Sequence, residues 1–172
     1  MKPTKLKDIV EIIGIAAIVV SLIFVGLEIR QSAAATRGAT QQALADAARE
    51  ASGALVADEA ATELTMRFLS ATDWSNFSEM ERFRAALLFT SMIRVFESAY
   101  YQWGEGNLAP ENWVGWEASI RGVAPMPGVA LFWKDRRLYF NEPFRSFFEE
   151  QMKLNEYDPS LGTLTIAPVD TL

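Results

Sequence analysis

The densest group of chemistry-bearing side chains lies between Arg94 and Gln102. Glu97 follows Arg94 by three positions and Tyr101 follows Glu97 by four, so on a helix the three side chains stack along one face. Gln102 adds an amide next to them. A guanidinium paired with a carboxylate and extended by a phenol makes a compact polar network. Arg94 also lies eleven positions after Phe83 and seven after Leu87, which puts its charge on the side of residues expected in the core. Two chemistries fit this pattern. One is an ion pair that fixes how the helix packs. The other is a pocket in which Arg94 holds the anionic group of a ligand. Catalysis there would have only Glu97 or Tyr101 as acid or base, and one helix carrying them specifies no reaction.

Tyr100, Trp103, Trp113 and Trp116 form a second group. They could line a cleft for an aromatic or cationic ligand, or supply the largest apolar area in the core. Lys134, Arg136 and Arg137 stand beside Trp133, with Tyr139, Phe140, Phe144 and Arg145 following. Helices that rest on membrane surfaces use this mixture. The plainer alternative has the aromatic residues facing the core and the basic ones solvated, and Glu149 and Glu150 favour that alternative.

Composition narrows the chemistry further. The 172 residues contain no histidine and no cysteine, so zinc-type metal sites, a thiol nucleophile, a histidine base and disulfides are excluded. No cofactor is expected. The net charge of −6 argues against nucleic acid as a partner, because binding phosphate backbones calls for a basic stripe.

Local signals outline the elements that must hold these groups. From Ile12 to Leu27 the only polar side chain is Ser21, and with Ile9, Val10 and Ile29 the stretch reaches the length needed to cross a bilayer. Its apolar residues cover every direction of the helical wheel, unlike those of a helix with a solvent face. A cleaved signal peptide is the competing reading, since Lys2, Lys5 and Lys7 are basic and Ala33 to Ala35 offers a cleavage site. The length of the apolar stretch and the charges of Glu28 and Arg30 count against it. Glu11 and Glu28 lie 17 positions, or about 25 Å, apart, near opposite edges of the hydrocarbon. Lys2, Lys5 and Lys7 outnumber Arg30 and Arg37, which favours an N-terminus on the inside. Gly14, Ala17 and Ser21 form a stripe of small residues that would let another helix approach, although small residues are common in membrane helices anyway.

Beyond the span, an Ala-rich segment without proline predicts a helical stalk over 31–57. Asp58 is a candidate N-cap for a short helix carrying Leu64, Met66, Phe68 and Leu69. The stretch from Ala71 to Phe77 reads as a loop. Ser78 and Glu81 form a capping box that opens a helix ending near Gly104, apolar around most of its circumference and therefore expected to be enclosed. Pro110 and Pro127 suit the first turns of two further helices, and Asn141-Glu142-Pro143 opens another. An irregular tail is expected over 158–172.

Several of these residues carry a family resemblance. Glu28-Ile29-Arg30-Gln31 at the end of the span, Arg37, Arg94-Val95-Phe96-Glu97, Tyr100-Tyr101-Gln102, Trp113 with Trp116, Pro127-Gly128 and Trp133 together resemble a widespread group of small, membrane-anchored bacterial proteins whose activity is not established. Glu28 stands where that group carries a glutamine, and Ser32 where it carries an asparagine. The resemblance implies a bacterial origin and an all-helical fold, and it implies no activity.

The resulting expectation is an all-α protein. Residues 1–30 form a basic N-terminus and transmembrane helix, 31–57 a stalk, 58–157 a bundle of about four or five short helices, and 158–172 a tail. The expected function is that of a non-catalytic, single-pass interaction or accessory protein of the bacterial cytoplasmic membrane, with its helical domain on the periplasmic side. Its partners would be membrane lipid, itself or other membrane subunits. The alternative is a ligand-binding or sensory domain centred on Arg94 and Glu97.

Overall fold

The computed structural model describes the backbone of residues 3–154 and the side chains of residues 11–153. The expected C-terminal tail lies outside the described residues. Among the described residues every regular element is helical. Helix α1 runs Pro3–Leu55, α2 Glu59–Leu69, α3 Glu79–Gly104, α4 Pro110–Val123 and α5 Pro127–Arg136; a 3-10 turn at Arg137–Tyr139 leads into α6, Glu142–Leu154. The all-α expectation holds, with five helices after the long first one.

The chain divides into two compact units, one ending at Ala39 and one starting at Thr40. The described part of the first unit is α1 alone. Its large apolar side chains from Ile12 to Ile29 are 48–67% exposed, and an 18-residue window has a mean hydropathy of 2.7, so the helix is long and apolar enough to cross a membrane. The polar groups within it are satisfied locally. Ser21 Oγ donates to the Ala17 carbonyl at 2.8 Å, and Thr36 Oγ1 donates to the Ser32 carbonyl at 3.0 Å.

The second unit starts within α1, so the compact domain includes the last turns of the Ala-rich segment rather than beginning after it. Leu44 is the reason: 5% exposed, it belongs to the same core as Phe68, Phe89, Ile93 and Phe132. Ala47, Ala48, Ala51 and Leu55 are half-buried on nearby turns. A helix so poor in apolar residues gains its stability here from packing rather than from propensity alone.

Caps set the helix boundaries. Asp58 accepts from the Ala61 amide at 2.7 Å at the start of α2. The capping box of α3 is complete, with the Ser78 amide donating to Glu81 Oε2 at 2.7 Å and the Glu81 amide donating to Ser78 Oγ at 3.3 Å. Pro110 and Pro127 occupy first turns, where a missing N–H costs nothing. After α3 the chain reverses at Gly106, whose φ of +75° favours glycine.

Helix α3 is the hub, packing on α2, α4, α5 and α6 through Ala85, Phe89, Ile93, Phe96, Glu97 and Ala99. It is not enclosed as its composition predicts. Met80, Phe83 and Leu87 are 74%, 60% and 55% exposed, because the neighbouring helices gather on the opposite face and no described element covers this one. The Arg94 stripe is therefore an outward stripe, and Phe83 and Leu87 are not core residues.

One close approach joins α2 to α5. A Cβ placed on Gly128 would come within 1.7 Å of the Phe68 carbonyl oxygen, a backbone atom that cannot swing aside. Gly128→Ala is expected to destabilise the domain by about 1–3 kcal/mol in denaturant titrations. At Gly115, within α4, a Cβ meets nothing within 4 Å, so Gly115→Ala is expected to stabilise by about 0.5–1 kcal/mol.

The capping box also predicts a pH dependence. The Glu81 carboxyl is lowered from 4.5 to about 2, first by the Ser78 amide, then by the Ser78 hydroxyl and by Arg67, whose Nη1 lies 2.7 Å from Glu81 Oε1. A depressed carboxyl contributes stability that is fully present above its ordinary value and is lost as pH falls through the folded one. The stability difference between wild type and Glu81→Gln is expected to be constant above about pH 4.5 and to shrink toward pH 2.

Candidate functional site

The site centres on Glu97, the one buried charged residue among the described residues, at 6% exposure. Its position on α3 turns the carboxylate toward the start of α6. Oε2 accepts from Arg94 Nη1 at 2.5 Å, and Oε1 accepts from the Asn141 backbone amide at 2.8 Å. Tyr101 lies one turn further on, its hydroxyl near the Phe144 backbone amide. Burial pushes the Tyr101 phenol up, and the charges of Glu97 and Tyr100 add to the effect, so it stays protonated near neutral pH. Asn141 precedes α6, its carbonyl accepting from the Arg145 amide at 2.9 Å, as the sequence pattern predicts. The acceptor for the Asn141 amide, however, comes from α3. A backbone donor at the start of one helix is thus satisfied by a side chain of another.

Arg94 is held on three sides. Besides Glu97, its Nη2 donates to the Tyr139 carbonyl at 2.5 Å, and its guanidinium carbon lies 4.8 Å from the centre of the Phe140 ring. It fastens the turn that delivers the chain into α6. Its side chain is nevertheless 47% exposed. Gln102 does not join this network; its carbonyl accepts from the amides of Asn107 and Leu108. The Arg94–Glu97–Tyr101 grouping read from the sequence is thus brought together, whereas Tyr139, Phe140 and the Asn141 amide, its other members, carried no signal. A backbone group has no identity in a sequence.

The aromatic group fills the space between α3, α4 and α6. Trp103 stacks on Trp113 at 4.7 Å and 11°, and Tyr100 stacks on Phe147 at 5.0 Å. Trp113 is buried against Phe147, and Trp116 meets Phe96 edge-on. These rings have one another as neighbours, with Trp113 in the core, Tyr100 and Trp116 half-buried against it and Trp103 at its edge, 39% exposed.

The basic group is split. Trp133 is buried, stacked on Phe140 and packed on Phe148, with Nε1 donating to Glu149 Oε1 at 3.1 Å, so it cannot serve as a membrane-surface contact. Glu149 also pairs with Arg137 at 3.0 Å. Lys134 and Arg137 are exposed, and Arg136 reaches over Tyr139. The Gly14, Ala17 and Ser21 stripe is exposed on α1 in the first unit.

Two grooves mark the second unit. The wider, about 760 Å³, lies between the outward face of α3 and the end of α5, lined by residues that include Trp74, Met80, Phe83, Phe132 and Arg136. The narrower, about 320 Å³, separates the Thr40–Ala47 stretch of α1 from Arg94, Val95, Ser98 and Gln102 of α3. Its α1 lining was not singled out from the sequence; the only hint was the placement of Leu44 between small residues.

Removing the carboxylate is expected to be costly. Glu97→Ala should destabilise the domain by about 2–3 kcal/mol, because a charge-assisted acceptor is lost and a backbone donor is stranded. Hydrogen exchange should accelerate first at the amides of Asn141 and the opening turn of α6. Comparisons of the chain with protein-family models, with curated proteins and with solved structures return no match.

Proposed function

We propose that this is a single-pass membrane protein with a non-catalytic accessory or interaction role, associating through its N-terminal helix with itself or with subunits of a larger membrane complex. The observation that carries this reading is the apolar surface of α1: the side chains from Ile12 to Ile29 are exposed in every direction, and no residue of the most apolar window is buried. Leaving such side chains in water costs about 1.5–3 kcal/mol each relative to burial, and lipid removes that cost. The main chain of the segment is helical throughout and Ser21 bonds to its own helix, as hydrocarbon surroundings demand. The stripe of Gly14, Ala17 and Ser21 supports helix association. Lys2, Lys5 and Lys7 support an N-terminus on the cytoplasmic side and a periplasmic domain. The resemblance of the Arg94–Gln102 string supports the bacterial setting. An accessory role fits a domain whose buried carboxylate, Glu97, is committed to joining α3 to α6.

Membrane fractions from a Gram-negative host test the proposal. The full chain is expected to resist alkaline extraction and to keep an intact N-terminus, whereas Val20→Arg is expected to weaken insertion by about 2.5–3.5 kcal/mol and to release protein into the wash. A reporter that works only in the periplasm, fused at the C-terminus, should be active. Gly14→Leu and Ala17→Leu should lower association in a membrane two-hybrid assay. Release of the wild-type chain by alkali, or cleavage near Ala35, would defeat the anchor; unchanged association in both leucine variants would defeat the contact role.

A further inference from the structure

The narrower groove carries an inference beyond the anchoring role. One wall is α1, with Thr40, Ala43, Leu44 and Ala47; the other is α3, with Arg94, Val95, Ser98 and Gln102. Leu44 and Val95 give each wall an aliphatic side chain, and Ala43 and Ala47 contribute only methyl groups. Along α3, Ser98 lies between Arg94 and Gln102. Arg94 and Gln102 are eight positions apart on α3, about 12 Å along the axis.

The hydrogen-bonding capacity of this groove is unspent. Among the described residues the hydroxyls of Thr40 and Ser98 and the side-chain amide of Gln102 have no hydrogen-bond partner. A guanidinium has five N–H donors, and Arg94 directs one bond to Glu97 and one to Tyr139. Those bonds and the Phe140 ring hold the guanidinium still while half of it faces outward. A charged group so positioned loses little freedom on binding. No carboxylate lines the groove. The carboxylates within the two lining stretches, 40–47 and 94–102, are Glu97, already engaged, and Asp46, which accepts from Gln42 and pairs with Arg49 on the exposed side of α1.

We propose that this groove binds a small carboxylate carried on a short aliphatic body, with the carboxylate on Arg94, the aliphatic part over Leu44 and Val95, and the far end near Ser98, Gln102 and Thr40. A volume of about 320 Å³ accommodates a ligand of that size. The proposal does not depend on the membrane reading, since every residue of the groove belongs to the second unit.

The test uses the full chain in nanodiscs of zwitterionic lipid, with empty nanodiscs as the control for partitioning. Hexanoate, hexanol and hexylamine are titrated while the side-chain NMR signals of Gln102 and Arg94 are followed. Hexanoate is expected to shift both signals saturably, with an affinity at least about tenfold above that of hexanol or hexylamine, as one charge-assisted contact implies. Ala43→Leu, which fills the groove and touches none of the Arg94 bonds, should abolish the shift while leaving thermal unfolding unchanged. Arg94→Gln should weaken binding by about tenfold; if it also unfolds the domain, Ala43→Leu alone decides. The proposal is overturned by no saturable shift up to about 10 mM hexanoate, by equal binding of hexanol, or by unchanged binding in Ala43→Leu.

Discussion

The carboxylate of Glu97 is the contact on which the second unit turns. It lies in the interior between α3 and α6 and reaches two groups that the chain separates widely: the guanidinium of Arg94 on its own helix and the backbone amide of Asn141, 44 positions on. A buried carboxylate is costly unless its oxygens are occupied, and here each oxygen has a donor. Arg94 passes the constraint on to the Tyr139 carbonyl and the Phe140 ring. Tyr101 lies one turn away, its hydroxyl near the Phe144 amide. The end of the 3-10 turn and the start of α6 are thereby referred to one face of α3.

The aromatic core depends on that arrangement. With α6 in place, Phe144 and Phe148 are fully buried, Phe147 lies over Tyr100 and Trp113, and Trp133 is pinned between Phe140 and Phe148 with its indole on Glu149. Rings at these separations add specific edge and face contacts to the area they bury. The same packing consumes residues that could otherwise have formed a ligand cleft or a membrane-facing patch. Two grooves flank α3 among the described residues, one rimmed by the exposed Met80 and Phe83, the other lined by Arg94.

The first unit obeys a different constraint. Its apolar side chains face outward all around a single helix, so burial among the described residues does not account for them. Ser21 and Thr36 return their hydroxyls to the helix backbone, which removes the polar demand that would otherwise oppose an apolar environment. The physical argument for this unit rests on solvent preference, and that for the second unit rests on complementary contacts.

This contrast separates what was legible in the sequence from what was not. The apolar span, the start of α2 at Asp58, the capping box of Ser78 and Glu81, and the proline starts of α4 and α5 could all be read directly, because each depends on residues within about one turn of one another. So could the pairing of Arg94 with Glu97, three positions apart on one helix. The sequence could not say that Glu97 and Tyr101 serve α6, that Trp133 is buried, or that the Met80, Phe83 and Leu87 face is left uncovered. Each of those outcomes depends on which face of α3 its neighbours choose, and on backbone groups that have no residue type. The groove beside Arg94 belongs to the same class: Ala43 and Ala47 read as ordinary helix formers until α3 lies alongside them, and only then does the space they leave have walls.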